Sequence, residues 1–266
     1  MASSPSPRSK SSLEATLLYF SEYGFPLTSD ELWFWQHFSK ISKFKIRNLN
    51  SNLKFQISNW KLRKQREVIS KKKWLIANRV GKQLSKIKFI EAIFVTGSLA
   101  MSNCTSDADI DLMIVTSPNT LWLTRPLVYL LLRSTRRKPQ VTSAPDKICD
   151  NLYLDTYCLP LTTHNLYLAH EILQAKCLFD RGGIHRRFLE ANAWVKNYLP
   201  IAYREILKTH PHPNPTTHNS QLTTILLYSI NLLLFCLQYL YMRSKMTTER
   251  VGPGFAFFHP ASSLPS

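Results

Sequence analysis

Two carboxylates separated by a single residue could bind a metal ion in this sequence. Asp109 and Asp111 flank Ile110 at the start of an apolar run, and residues two apart on a strand share a face. Carboxylates that share an apolar face repel each other unless a cation or a proton compensates them. Mg²⁺ suits such a pair, because it takes carboxylate oxygens and completes its shell with phosphate and water. The pair therefore predicts a magnesium site, with aspartates that merely cap a strand end in solvent as the alternative.

A glycine-serine turn precedes the two aspartates. The run Ile90 to Val95 is short, apolar and rich in β-branched residues, and it is closed by Gly97, which favours a buried strand over a helix. Residues 99–101 are good helix formers, so the backbone N–H groups around Ser98 would form a helix N-terminus that faces an anion. Gly97 and Ser98 are therefore the predicted phosphate-binding residues.

The order of strand, Gly97-Ser98, a ten-residue link and Asp109-Ile110-Asp111 resembles the signature of the polymerase-β-like nucleotidyltransferase superfamily. More broadly, the chain is similar to a group of bacterial nucleotidyltransferase-domain proteins. The resemblance implies an α+β fold, with a small mixed-sheet core and flanking helical regions. It also implies transfer of a nucleoside monophosphate from an NTP to a hydroxyl acceptor, with release of pyrophosphate. Asp109 and Asp111 would hold two Mg²⁺ ions, and a nucleotide would be the first partner.

The resemblance further implies a third carboxylate on a neighbouring strand, which would hold metal and accept the proton of the attacking hydroxyl. The run Ile148 to Leu161 predicts that strand, and it contains Asp150 and Asp155. On a regular strand these two aspartates have opposite parity, so only one can face the site. Asp155 is preferred as the catalytic and metal-binding residue, because Tyr153 and Tyr157 share its face and would line a nucleotide pocket. Asp150 remains the alternative.

The positive charge is concentrated upstream of the aspartates. The formal net charge is +17, and Lys40 to Lys88 contains sixteen basic residues against one acid, Glu67. Residues 58–86 predict one long helix, which could follow the phosphate backbone of RNA or DNA. A solvated basic face is the alternative. A second hypothesis is therefore a catalytically degenerate nucleic-acid-binding protein that uses the basic region 40–88.

The sequence predicts six segments around these motifs. They are a disordered tail (1–12), a helical or winged-helix-like unit (13–57), the basic helix (58–88), the nucleotidyltransferase core (89–163), a C-terminal helical region (164–246) and an irregular tail (247–266). Residues 166–199 predict two helices broken at Asp180 to Gly183. His170 and Glu171 are not followed by an HExxH pattern, so a packed or exposed histidine is expected there rather than a metal site.

Leu222 to Met242 carries no charge and is long enough to cross a bilayer. Thr224, Asn231 and Gln238 fall seven residues apart and form a polar stripe, which favours a docked helix with most of its surface buried. Five dispersed cysteines without a CxxC pattern argue for a reducing compartment and against a zinc site. The predicted location is therefore cytoplasmic, with membrane association through Leu222 to Met242 as the alternative.

Overall fold

The structure is a computed structural model that describes residues 7–44, 46, 60–138, 144–210 and 221–258. Its centre is a six-stranded sheet. The strands are β1 (Ile90–Val95), β2 (Ile110–Thr116), β3 (Ile148–Asp155), β4 (Lys176–Asp180), β5 (Arg250–Gly252) and β6 (Phe255–Phe257). Their order across the sheet is β4-β1-β2-β3-β6-β5. β2 and β3 run parallel, and the other neighbours run antiparallel. This mixed sheet with flanking helices confirms the predicted α+β class.

Helices cover both faces of the sheet. The helices are α1 (Pro7–Glu22), α2 (Ser29–Phe34), α3 (Trp60–Leu84), α4 (Gly97–Ala100), α5 (Leu121–Leu132), α6 (Leu166–Gln174), α7 (Ile184–Ala191), the 3₁₀ turn Ala193–Asn197, α8 (Pro200–Thr209) and α9 (Gln221–Met242). Side chains from α1, α2, α6, α7 and α8 form one core cluster with one face of the sheet, and α3 and α5 form a second cluster with the other. Alternation along β2 divides its side chains between the clusters: Met113 and Val115 belong to the first, and Leu112 and Ile114 to the second.

The N-terminal unit is a pair of helices packed into the first core cluster. α1 begins at Pro7, so part of the predicted disordered tail is helical, and proline suits the first turn of a helix because its missing N–H has no partner there. α2 begins with a capping box: Thr28 Oγ1 accepts from the N–H of Glu31, and the Glu31 carboxylate accepts from the N–H of Thr28. Residues 47–59, where the wing of a winged helix would fall, lie outside the described residues.

Strands stand at both edges of the sheet where the sequence predicted none. Residues 176–180, predicted within a helical region, form β4 and pair with β1. The predicted irregular tail contains β5 and β6, which turn at Pro253-Gly254 and pair with β3. Ala256 is buried in the second core cluster, whereas Phe255 and Phe257 pack against the first. This period of two is the strand signal that the Gly/Pro/Phe-rich composition obscured.

α9 docks along one side only. Thr224–Met242 is the one helical stretch of the described chain with the length and composition of a membrane span. Only 6% of its most apolar 18-residue segment is buried in the protein. The predicted polar stripe does face the protein, since Asn231 is buried and Gln238 donates to the carbonyl of Trp122 at 2.8 Å. The expectation that most of the helix surface would be buried is wrong: the stripe and the partly buried Leu234 and Phe235 beside it pack on the protein, and the opposite side of the helix is exposed.

Candidate active site

Gly97 lets the chain turn sharply at the end of β1. Its φ is +62°, a left-handed conformation that side-chain-bearing residues rarely adopt. A Cβ atom at this position would also lie 2.6 Å from Oδ2 of Asp111. The N–H of Thr96 donates to the backbone carbonyl of Asp111 at 3.1 Å, so the β1–β2 ladder holds the two segments together. The predicted phosphate turn and the predicted metal-binding strand are thus in direct contact.

Asp109 and Asp111 share one side of β2, as predicted, while Ile110 is buried on the other. Nη1 of Arg137 donates to Oδ2 of Asp109 at 2.6 Å, and Nδ2 of Asn151 donates to Oδ1 of Asp111 at 2.9 Å. Both partners orient the carboxylates without removing their remaining lone pairs. Each carboxylate can therefore still offer an oxygen to a cation.

Cys149 completes a compact group with the two aspartates. It lies opposite Asp111 in the parallel β2–β3 register, and one potential ligand atom from each of the three residues lies within 4.8 Å of the others. Burial raises the pKa of the Cys149 thiol, and the nearby carboxylates of Asp111 and Asp109 raise it further. A protonated thiol is a poor ligand for a hard cation. We therefore regard the two carboxylates as the ligands and Cys149 as a neighbour.

Electrostatic surroundings make the pair a good fit for a hard cation. Burial, together with the negative charges of Asp109 and Glu171, raises the pKa of Asp111 to about 7, and the amide of Asn151 opposes this effect. The ionised form of Asp111 is therefore disfavoured in the pocket unless a positive charge is added. A divalent cation with oxygen preference would supply the missing positive charge.

Glu171 is the acidic residue that was set aside in the sequence because no HExxH pattern follows it. It lies on α6, and its carboxylate accepts a hydrogen bond from the backbone N–H of Gly97. Burial raises its pKa to about 7 against the lowering effect of that N–H. Its carboxylate lies outside the compact group of ligand atoms around Asp109 and Asp111. One signal was visible in the sequence: a glutamate inside the apolar run LYLAHEILQ is costly unless it is used.

Asp155 is not brought to the site. It ends β3 opposite Thr116, whereas Asp111 lies opposite Cys149, and five residues of strand correspond to roughly 16 Å. The Asp155 carboxylate instead accepts the N–H groups of Asn119 and Tyr157, at 2.5 and 2.8 Å. Burial raises its pKa to about 6, against the effect of these two donors. The prediction that Asp155 would complete the metal site is therefore corrected: it holds the loops at the far end of β3.

Asp150 does not take the place of Asp155 beside Asp109 and Asp111. Its carboxylate accepts from Nε of Arg136 at 2.5 Å and from the hydroxyl of Tyr153 at 2.7 Å, and Tyr153 belongs to the second core cluster. Asp150 lies between Cys149 and Asn151 on β3, so the alternation of a strand turns it to the face opposite the aspartates. The β3 residues that do approach the aspartates are Cys149 and Asn151.

Ser98 lies beside the site in the short helix α4. Its Oγ lies 3.3 Å from Sγ of Cys104, and its carbonyl accepts from the N–H of Asn103 at 2.9 Å. Lys73 fixes the link that follows. This lysine of α3 has a side chain only 1% exposed, and its Nζ donates to the carbonyl of Ala108 at 2.6 Å and to Asp146 at 2.8 Å. A buried cation thus holds the residue immediately before Asp109.

A cavity of about 500 Å³ opens next to the acidic residues. Its polar lining residues include Thr96, Asn151 and Glu171, together with Thr162, Thr163, Thr248 and Arg250. Most of the remaining wall is apolar and includes Met113, Leu152, Leu154, Tyr157, Ile172, Phe188, Phe255 and Phe257. Tyr157 therefore lines a pocket, as predicted, whereas Tyr153 is fully buried elsewhere. The volume and lining are those of a small-molecule site.

These features bring four of the five predicted site residues together: Gly97, Ser98, Asp109 and Asp111. They exclude Asp155 and add Glu171, Asn151 and Arg137. Comparison of the chain with the models of known protein families and with curated proteins finds no match.

Proposed function

We propose that the protein is a Mg²⁺-dependent nucleotidyltransferase of the polymerase-β-like superfamily, which transfers a nucleoside monophosphate from an NTP to a hydroxyl acceptor. The observation that carries the proposal is the contact between the Gly97 turn and the Asp111 carboxylate, where a Cβ would lie 2.6 Å from Oδ2. Only glycine lets a phosphate-binding turn approach a metal-binding carboxylate so closely. The acidic pair and the turn, one on each side of a β1–β2 ladder, are the parts that nucleotidyl transfer requires.

The proposed roles follow from position. Asp109 and Asp111 would hold the Mg²⁺, which when bound neutralises the triphosphate and favours departure of pyrophosphate. Arg137 and Asn151 keep the two carboxylates in place through the hydrogen bonds that they donate. The N–H and hydroxyl of Ser98, the next residue of the turn, would bind a terminal phosphate, whereas the N–H of Gly97 already donates to Glu171.

Glu171 takes one of the two roles predicted for Asp155, that of the proton acceptor, and not that of a metal ligand. It lines the cavity and adjoins the Gly97 turn, so a hydroxyl group bound in the cavity would lie against its carboxylate. We assign it the acceptance of the proton from the attacking hydroxyl. The apolar wall behind it favours an acceptor, or a nucleotide base, with a flat apolar body rather than a double-stranded nucleic acid.

The test is nucleotide transfer by the full chain. The protein is incubated with each labelled NTP, Mg²⁺ and cell extract, and label is sought in RNA, protein and small molecules. Asp109→Asn and Asp111→Asn should each lower transfer by at least about 100-fold, because each removes a metal-binding charge. Asp107→Asn is the matched control, because Asp107 is an exposed carboxylate on the same link. Full Mg²⁺-dependent transfer by the Asp109 and Asp111 variants would contradict the proposal.

A second candidate function rests on α3. Lys64, Lys71, Lys72, Arg79 and Lys82 are exposed along this 25-residue helix, which is a basic stripe of the kind that binds nucleic-acid backbones. RNA or DNA binding that weakens steeply with salt and is unchanged by Asp109→Asn, with no Mg²⁺-dependent NTP binding, would favour a non-catalytic nucleic-acid-binding protein.

We also propose a cytoplasmic location. The five cysteines are all free thiols, and none lies within a disulfide, which suits a reducing compartment. NTP, the proposed substrate, is held in that compartment.

A further inference from the structure

Two neighbouring helices expose an apolar surface that nothing in the described chain covers. We name it the α5/α9 surface. Its largest contributors are more than half exposed: Leu130 of α5, and Ile225, Leu226, Leu233, Leu237 and Leu240 of α9. Contiguous apolar surface of this kind marks a site of contact with a membrane or another protein.

Two ordinary explanations for an apolar helix do not apply to α9. It is not a core helix of the protein, because Asn231 is the only buried residue between Thr224 and Met242. It is not an N-terminal signal sequence either, since it follows β1 to β4 of the central sheet in the chain. Its 22 residues carry no charge and span about 33 Å, a length comparable with the hydrocarbon thickness of a bilayer.

The attachment of α9 determines how it can meet a membrane. Near its middle, Asn231 accepts from the N–H of Trp122 at 2.8 Å and donates to the carbonyl of Pro253 at 3.0 Å. After Met242, seven residues lead back to β5 in the central sheet. A helix tied along its length to a globular body cannot cross a bilayer alone. Its free face can lie in the plane of the membrane surface.

The basic residues beside the α5/α9 surface indicate which kind of membrane it would bind. Arg243 and Lys245 are exposed directly after α9, and Arg133 is exposed directly after α5. Tyr239 and Tyr241 are exposed near the same end of α9, and tyrosine is favoured at the boundary between lipid and water. The chain as a whole carries a net charge of +17. An apolar face bordered by cations and tyrosines complements lipid chains bordered by anionic headgroups.

We propose that the α5/α9 surface binds the surface of an anionic membrane, with α9 lying in the interface and the catalytic sheet remaining in water. This inference is independent of the proposed reaction, because it rests on a different face of the molecule. It would place the enzyme at the membrane without a transmembrane segment.

The test is vesicle binding by the full chain. Phosphatidylcholine vesicles containing about one third phosphatidylglycerol are compared with pure phosphatidylcholine vesicles in a flotation assay. Leu233→Glu and Leu237→Glu should each weaken binding to the anionic vesicles by at least about tenfold, because each replaces an apolar group that would enter the lipid with a charge. The matched control is Leu18→Glu on α1, where the side chain is 64% exposed, against 60% for Leu233 and 56% for Leu237. Circular dichroism and thermal unfolding of all three variants establish that they fold.

Preferential binding to the anionic vesicles that Leu233→Glu and Leu237→Glu abolish, and Leu18→Glu does not, supports the proposal. Equal binding by all variants overturns it, because the charge of the chain would then suffice. A wild-type chain that ignores vesicles but forms a dimer, which Leu233→Glu converts to a monomer, also overturns it. The α5/α9 surface would then be an interface between two copies.

Discussion

The Oδ2 atom of Asp111 occupies the space in which a side chain on residue 97 would begin, 2.6 Å from the position of a Cβ. Glycine is therefore required at position 97 for two reasons: the backbone has a positive φ, and the Asp111 carboxylate leaves no space for a Cβ atom. Gly97→Ala should lower stability by about 1–2 kcal/mol through the left-handed backbone alone and should push the Asp111 carboxylate away from its position. We expect nucleotide transfer to fall at least about tenfold, since small misplacements of a metal ligand are costly.

The control for this prediction is Gly81→Ala. Gly81 lies in α3, where an added Cβ would meet the Leu178 side chain at 3.2 Å and no backbone strain arises. Urea unfolding measures stability, and labelled-NTP transfer measures activity. Unchanged transfer by Gly97→Ala would show that the close approach is not part of the reaction.

Glu171→Gln separates chemistry from packing. A glutamine oxygen can still accept the N–H of Gly97, so the turn should keep its shape, but the carboxylate that would accept a proton is gone. We expect transfer to fall by about 10²–10⁴-fold while stability holds or rises, because a buried carboxylate is costly to the folded state. Glu190→Gln on the surface of α7 should change neither. If Glu171→Gln retains full activity, Glu171 only fixes the turn.

Asp155→Asn should lower stability and leave nucleotide transfer intact, which is the opposite of the pattern expected for Glu171→Gln. Asp155 accepts two backbone N–H groups, and an asparagine amide can accept only one of them while presenting its own N–H to the other. Stability should fall by about 1–3 kcal/mol, and transfer should persist in the folded protein. The variant is assayed below its unfolding midpoint, next to Asp109→Asn, which should show the reverse pattern. Loss of transfer without loss of stability would restore Asp155 to the active site.

The contrast between Glu171 and Asp155 shows where sequence reasoning succeeds and where it stops. Gly97, Asp109 and Asp111 were predicted, because their relation depends on one turn and on the alternation within two adjacent strands. The third acid was misassigned, because Asp155 lies opposite Thr116, well along β3 from the site, and because Glu171 arrives from a helix distant in sequence. Alternation along a strand predicts which face a side chain takes, but it predicts neither the register of two strands nor which distant helix reaches the site.

The helices and strands of the fold were predictable to different extents. The long basic helix was predicted closely, as residues 58–86 against the observed Trp60–Leu84 of α3. The edge strands β4 and β5 were missed, as was β6 between β5 and β3, because they are three to five residues long and take their stability from pairing with neighbouring strands. Hydropathy described α9 as apolar, but it could not say how little of that surface the rest of the chain covers.

His185 should make stability depend on pH. Burial, with smaller contributions from the neighbouring His210 and Lys176, lowers its pKa from 6.5 to about 3, and Asp180 accepts its backbone N–H. The folded state therefore keeps His185 neutral, whereas the unfolded chain takes up a proton below pH 6.5. Its stabilising contribution is complete above pH 6.5 and is lost progressively as the pH falls toward 3.

His185→Gln tests this dependence. The variant should lose less stability than the wild type between pH 7 and pH 5, because glutamine takes up no proton in the unfolded state. His164→Gln is the control, since His164 is exposed. Urea unfolding midpoints at the two pH values provide the measurement. Equal pH dependence in the wild type and in His185→Gln would assign the effect to other groups.

Asn231 caps α5 from a different helix. Thr120 precedes α5 without a side-chain hydrogen bond to its first turn, and Oδ1 of Asn231 accepts the N–H of Trp122 instead, at 2.8 Å. The amide is buried and also donates to the carbonyl of Pro253, so it joins α5, α9 and the β5–β6 turn.

Asn231→Leu fills a similar volume but leaves one donor, the N–H of Trp122, and one acceptor, the carbonyl of Pro253, unsatisfied. We expect it to cost about 1–3 kcal/mol, measured by urea unfolding. Ser229→Ala, two residues away on the exposed face, should cost less than about 0.5 kcal/mol. If both substitutions cost the same, packing rather than this hydrogen-bonded amide holds α9 to the sheet, and the polar stripe would have no structural role.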